Sequence, residues 1–302
     1  MIVFTVVSTK GGVGKTTIAA NISALLADLG FRVLMIDADV QPSLTRYFPI
    51  AHRAEHGITE VVKRGVISQD CISNIGFPES ESGRLNPNGC LDLVVSDAPE
   101  GALQDWLSQR MDRAVRMKKA LRSPFVAENY DVVLIDTQGA VGHLQDTAVL
   151  AADLLISPVS PDIISAREFT SGTLDLLKKL ETAEEIGMSV PPMQVVIYKL
   201  EKTRDSRSIA DTIRKEHVTF RGRVNVLRTV IPHAVAYKNA ATAQLPVHWI
   251  NPDRAGLTMH DLVWELIPSL QNVVAEACQP FAEAMLEQAE SESEPTDSEV
   301  AS

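Results

Sequence analysis

Three glycines, two lysines and two threonines stand within eight residues, Lys10-Gly11-Gly12-Val13-Gly14-Lys15-Thr16-Thr17, directly after an apolar run that begins at Ile2. Glycines let the backbone take positive φ and turn successive N–H groups toward one centre, and a helix starting near Lys15 adds the positive end of its dipole. Such a cradle suits an anion, above all the phosphates of a nucleotide. Lys15 brings a point charge to the β- and γ-phosphates, and the Thr16 hydroxyl is placed to ligate Mg2+. Gly11, Gly12, Val13, Gly14, Lys15, Thr16 and Thr17 are therefore the candidate nucleotide-binding residues.

Two further stretches supply carboxylates. RVLMIDADVQPSLT places Asp37 at the end of an apolar run and Asp39 two residues later, on the same side if the extended conformation persists. One carboxylate can hold a metal's water shell while the other orients an attacking water. In YDVVLIDTQGAVG four apolar residues lead to Asp136, where a carboxylate binds Mg2+, usually through water, opposite Thr16. Thr16, Asp37 and Asp136 are the metal candidates.

The segment KGGVGKTT resembles the deviant Walker A box of the ParA/MinD family of dimeric ATPases. Thr9 stands where the general phosphate-loop pattern wants glycine, and Lys10 precedes the glycine pair. The resemblance implies ATP and Mg2+ as ligands, and an ATP-sandwich homodimer in which Lys10 reaches the partner subunit's phosphates. It also implies hydrolysis, with Asp39 as the switch I residue that acts on water and Lys10 and Lys15 stabilising charge on the transferred phosphoryl group. Val40 replaces the usual proline of the D-x-D-P-Q pattern, and Gln138-Gly139 replaces the usual Pro-Pro after Asp136 and Thr137. A late stretch, VIPHAVAYKNAATAQLPV, is similar to the family segment near the adenine, which implies a base contact around Pro232. The resemblance covers about residues 1 to 275.

Positioning these groups requires strands that end at one edge. Apolar, β-branched runs recur at 2–8, 32–37, 91–95, 131–136, 153–158, 193–199 and 225–231, with helix-period segments at 15–29, 103–121, 166–186 and 205–216. The alternation predicts an α/β fold, a mostly parallel twisted sheet with helices on both faces, with ligands at the carboxyl ends of the strands. With 302 residues and 45% hydrophobic content the chain can bury a sizeable core. The reading is one ATPase domain over 1–286 and an acidic, disordered tail over 287–302. Residues 76–90, rich in Gly, Pro, Ser and Asn, read as an exposed loop. Three cysteines without a C-x-x-C pair disfavour a disulfide framework or a zinc site, and a cytoplasmic setting fits. No run of about 18 apolar residues appears, so membrane insertion is not expected.

The formal charge is -11, yet residues 199–238 carry ten Lys or Arg against four acids, while 283–302 carry seven acids and no base. Arg204, Arg207, Arg214, Lys215, Arg221 and Arg223 could neutralise several phosphates and give salt-sensitive, sequence-independent DNA binding. A second basic stretch, Arg110 to Arg122, competes for that role. The acidic C-terminal stretch would be repelled by anionic lipid. The expected function is a nucleoid-associated DNA-partition ATPase that binds DNA in the ATP state, is released by hydrolysis and is stimulated by a ParB-like protein. Two alternatives remain open: an ATP-binding localisation protein with little hydrolysis that positions a cell-surface or secretion assembly, and a metabolic enzyme sharing the phosphate box, such as a biotin-synthesis ligase.

Overall fold

The computed structural model describes residues 1–78, 81, 85–97, 101–139, 142–185, 187–217 and 222–270. Arg221, Cys278, the boundary at 286 and the acidic tail 287–302 lie outside the described residues.

Seven of the expected runs form strands: β1 (Ile2–Val6), β2 (Arg32–Ala38), β5 (Cys90–Val94), β6 (Val132–Thr137), β7 (Leu154–Val159), β8 (Met193–Leu200) and β9 (Val224–Pro232). Two three-residue strands, β3 (Ile50–His52) and β4 (Ser73–Ile75), were not anticipated. They are too short to show an alternation, and they extend one edge of the sheet antiparallel to β5 and to each other. All other pairings are parallel, and the order is β3-β4-β5-β2-β6-β1-β7-β8-β9.

Both faces of the central strands are buried, which explains their nearly continuous apolar runs. Along β2, Val33 and Met35 join the core on one face while Leu34 and Ile36 join the other; β6 repeats this with Val132 and Leu134 against Val133 and Ile135. The first face is covered by helix α1 (Lys15–Asp28) together with α9 (Val235–Ala243), α10 (Val247–Ile250) and α11 (Leu257–Leu266). The second carries α2 (Ile58–Arg64), α3 (Ala102–Ser108), α4 (Arg116–Leu121), α5 (Pro124–Asn129) and α6 (His143–Val149). The long α7 (Ile163–Glu185) and α8 (Arg204–His217) cover the β7–β8–β9 end. The single helix expected over 103–121 is instead α3, a short 3-10 turn at Arg113–Val115, and α4.

Helix α1 is buried along most of its length, with Ile18, Ile22, Leu25 and Leu26 at 1% exposure or less. Each such side chain contributes about 1.5–3 kcal/mol of burial, so the helix that presents the phosphate cradle is firmly seated. Buried Asn21 donates to Thr17 O (2.7 Å) and to Tyr47 Oη (2.9 Å), and accepts from Val247 N (2.7 Å). Asp28 at the far end accepts from Trp249 Nε1 (2.6 Å) and meets His248 Nε2 at 2.5 Å. These bonds tie α1 to α10 at its middle and at its last residue.

A phosphate cradle with two buried carboxylates

The loop between β1 and α1 lies at the carboxyl edge of the sheet, beside the ends of β2, β6 and β8. Gly14 precedes α1 at φ 91°, and no side chain caps that end. The first-turn N–H groups, which have no partner within the helix, are thus left for an anion. A side chain at Gly14 is excluded twice. The backbone is left-handed there, and a Cβ would lie 2.3 Å from the Tyr198 ring. Opposite, Gly139 lets the segment after β6 approach so closely that a Cβ would lie 2.8 Å from Gly11.

A cavity of about 570 Å3 opens over this loop, lined by Gly11, Gly12, Gly14, Lys15, Thr16 and Thr17 of the loop and α1. Asp39, Val40, Gln41, Ser43 and Tyr47 come from the β2 side, Gln138 and Gly139 follow β6, and Tyr198 and Lys199 end β8. Val13 is buried beneath the loop. Lys10 instead lines a neighbouring cavity of about 770 Å3, with Thr9, Gln145, Asp146 and α7 residues including Gly172 and Lys179. Pro232 ends β9 in register with Leu200 and is exposed, outside the first cavity's lining.

Lys15 is buried, and its ammonium donates to Lys10 O at 3.4 Å. Burial lowers its pKa, while the Asp136 and then the Asp39 carboxylates oppose that shift. Thr16 Oγ1 donates to Asp136 Oδ2 at 2.6 Å. Asp136 faces Asp37 across the β2–β6 register, and both are fully buried. Burial, and next the Asp37 charge, push the Asp136 carboxyl up to about 8. Burial likewise pushes Asp37 up to about 6, against the bonds from Thr45 that pull it down.

The two carboxylates differ in how they are used. Asp37 accepts from Thr45 N and Thr45 Oγ1, both at 2.7 Å, and from Asp39 N at 3.3 Å, which fastens the loop after β2. Asp136 Oδ1 is buried with no partner among the described residues. A buried, unpaired carboxylate oxygen beside a hydroxyl suits a hard divalent cation with oxygen ligands, so the residues fit Mg2+. Asp39 lines the cavity, its carboxylate accepting from Gln41 N at 2.9 Å.

Sequence reasoning passed over Tyr47, Tyr198 and Lys199 as cavity residues. Tyr198 and Lys199 had a signal available: they end a strand at the ligand-bearing edge, where the apolar run turns polar. Tyr47 had none, since it reaches the cavity from a loop after β2.

The basic candidates separate into tied and untied groups. On α8, Ser206, Ala210 and Ile213 face inward, whereas Arg204, Arg207 and Lys215 are exposed and lack a carboxylate partner among the described residues. Arg214 pairs with Asp211 at 3.4 Å, and Arg223 with Glu184 of α7 at 2.5 Å. In the competing stretch, Arg116 is buried, pairs with Asp112 and donates to Lys63 O at 2.8 Å. Arg110 pairs with the same Asp112, and both guanidinium groups lie over the Trp106 ring. These arginines serve the packing of α3 and α4.

A glycine-rich loop between a central parallel strand and a buried helix, with a lysine, a threonine and a strand-end aspartate converging on one cavity, defines a P-loop nucleotide-binding protein. Residues 1–189 match the AAA_31 family, described as an AAA domain. The chain is 27% identical over 266 residues to the sporulation initiation inhibitor protein Soj of Bacillus subtilis, covering 87% of this chain and 97% of that one. It is 28% identical over 279 residues to a probable plasmid-partitioning protein ParA of Thermus thermophilus, covering 91% and 80%. Among solved structures it resembles apo McdA of Cyanothece (22% identity, TM-score 0.73, covering 88% and 99%) and MinD of Pyrococcus horikoshii with Mg-ADP (18%, 0.62, 88% and 96%), a likeness of fold. The chain belongs to the ParA/MinD family of P-loop ATPases.

Proposed function

We propose that the chain is a partition ATPase that binds ATP with Mg2+, closes a sandwich homodimer, associates with DNA without sequence preference in that state and is released by hydrolysis. The observation that carries the nucleotide reading is the buried Lys15–Thr16–Asp136 cluster beneath an uncapped helix end, with an orphaned Asp136 oxygen. The relatives named for partition carry the choice of process.

In this reading the loop N–H groups and Lys15 hold the phosphates. Lys15 gives up Lys10 O as its acceptor when a more basic one arrives. Thr16 and Asp136 would hold Mg2+, with Asp37 acting behind them through water; the ion would offset charge between the β- and γ-phosphates. Asp39 accepts a proton from an attacking water or orients it, and the short reach from Asp39 N to Asp37 Oδ1 couples the loop after β2 to the metal side. Gly139, packed on Gly11, and Gln138 beside it in the cavity lining would sense the γ-phosphate. Lys10 lines the neighbouring cavity and not the one over the phosphate loop, which supports a role across the dimer. The exposed cations Arg204, Arg207 and Lys215 form the DNA face, and a ParB-like activator accelerates turnover. Nucleoid association in the cytoplasm follows from that reading.

The localisation reading keeps one point in its favour: Asp211 lies among the α8 cations and already engages Arg214. Phosphate release with and without duplex DNA separates the two readings. DNA-responsive turnover supports partition, and tight ATP binding with negligible turnover and no DNA affinity supports localisation.

A further inference from the structure

Among the described residues, two non-glycine residues have positive φ, Lys199 at 61° and Gln244 at 55°. Gln244 is the residue following α9, where a left-handed turn is ordinary. Lys199 has no such excuse. It interrupts the β8–β9 register, in which Tyr198 pairs Ile231 and Leu200 pairs Pro232, so that two steps on β8 match one on β9 and Lys199 is the extra residue of a bulge. Glycine is the low-energy choice for a left-handed bulge position, and a lysine there costs strain that persists only when something else holds it.

The bulge brings Lys199 to the cavity wall. Its Nζ lies 3.4 Å from Gly12 O and 5.5 Å from the Tyr198 ring centre. Tyr198 itself fills the space against Gly14 and bonds the Thr17 side chain, so the end of β8 is seated on the phosphate loop. Lys15 and Lys199 are the two cations lining this cavity. Lys15 is buried, whereas Lys199 is exposed and has no carboxylate partner among the described residues. A carbonyl at 3.4 Å is a weak acceptor for an ammonium group, and a phosphate oxygen is a stronger one.

We infer that Lys199 is a nucleotide-binding residue, a second cation of the chain's own cavity that leaves Gly12 O to contact the phosphates of the bound nucleotide, and that the strained bulge exists to aim it. The inference rests on the nucleotide reading of the cavity. Lys199 differs from Lys10, which lines the other cavity, and from Lys15, which approaches from below the loop.

The test compares Lys199→Ala, which keeps the strained position and loses the amine, with Lys199→Gly, which loses both, and Lys199→Arg, which keeps a cation. Binding of MANT-ATP is measured by fluorescence at low and high salt, alongside thermal melting. The Ala and Gly variants should bind roughly five- to tenfold more weakly at low salt, the range of a charge-assisted contact at a partly exposed site, and the deficit should shrink as salt rises. Arg should recover most of the loss, and Lys199→Gly should melt no lower than the wild type. Wild-type affinity in both the Ala and Gly variants, with the Lys15→Ala control unable to bind, overturns the role of Lys199 alone. Failure of the wild type to bind MANT-ATP overturns the cavity reading as well.

Discussion

Thr9 occupies the place where a P-loop usually has glycine, and the structure shows what makes room for it. Gly172, in the middle of α7, lies so close that a Cβ there would fall 2.2 Å from Thr9 Oγ1, 2.5 Å from Cγ2 and 2.7 Å from Cβ. Rotating the Thr9 side chain can move the first two atoms. It cannot move Cβ, which the loop backbone fixes roughly 0.8 Å or more inside a normal carbon–carbon contact. Gly172→Ala must therefore displace either α7 or the phosphate loop. Overpacking of this kind costs about 1–3 kcal/mol, against about 1 kcal/mol returned by replacing a mid-helix glycine, so the single variant should lose up to about 2 kcal/mol. In a Thr9→Gly background the clash vanishes, and the same substitution should stabilise by about 1 kcal/mol. The coupling between the two sites should then be about 1–3 kcal/mol, a range expected of residues in contact. Urea unfolding of the four proteins without nucleotide measures it, and MANT-ATP affinity should fall in Gly172→Ala and return in the double variant. If Gly172→Ala stabilises the protein equally in both backgrounds, α7 does not press on the loop and the packing argument fails.

Lys15→Ala should abolish nucleotide binding by calorimetry, because the phosphates would lose the buried cation below the loop and keep only backbone dipoles and the exposed Lys199. Asp39→Ala should keep ATP binding and stop phosphate release, since it removes the group that acts on water and leaves the cradle intact; turnover at the wild-type rate would exclude Asp39 from the chemistry. The raised carboxyls set a pH dependence of the nucleotide-free, metal-free protein. Asp37 (about 6) and Asp136 (about 8) hold protons when folded that they release when unfolded, from a starting value of 3.8, so their contribution to stability falls as pH rises from about 4 to 8. Above pH 6 the decline belongs mainly to Asp136, and Asp136→Asn should flatten that part of the profile measured by urea midpoints. Reversing Arg204 and Arg207 to Glu should weaken ATP-dependent binding to all duplexes alike and reduce the salt slope by about 2 per subunit, with nucleotide affinity unchanged; an unchanged slope would remove α8 from the DNA face.

The sheet was legible because its strands are buried on both faces, and residues such as Val33 to Ile36 therefore form short, continuous apolar runs that alternate along the chain with helix-period segments. Strands β3 and β4 escaped because three residues at a sheet edge show no period, and their pairing is decided by long-range contact with β5. The helical stretch 103–121 is broken where Arg116 turns inward, pairing with Asp112 four residues before it and donating to Lys63 O, a tertiary bond that composition does not announce. Within the site, the glycine loop was readable because phosphate binding restricts residue type and spacing together. Asp136 was readable for a related reason, as a carboxylate that ends an apolar strand. Their unequal use was not: Asp37 is committed to Thr45, eight residues away, while Asp136 keeps an open oxygen. Lys199 counted as the end of the run 193–199 and as part of a basic segment, but not as a cavity residue, since a bulge that redirects one side chain leaves no trace in hydropathy.

The central claim is that the cavity over Gly11–Thr17 binds and turns over ATP. Phosphate release from Mg-ATP by the purified chain, measured beside Lys15→Ala and Asp39→Ala, tests it most directly. Measurable turnover is expected in the wild type, rising with DNA and a ParB-like activator, and none in either variant. Equal release from the wild type and Lys15→Ala, or a wild type that neither binds nor hydrolyses ATP, would contradict it.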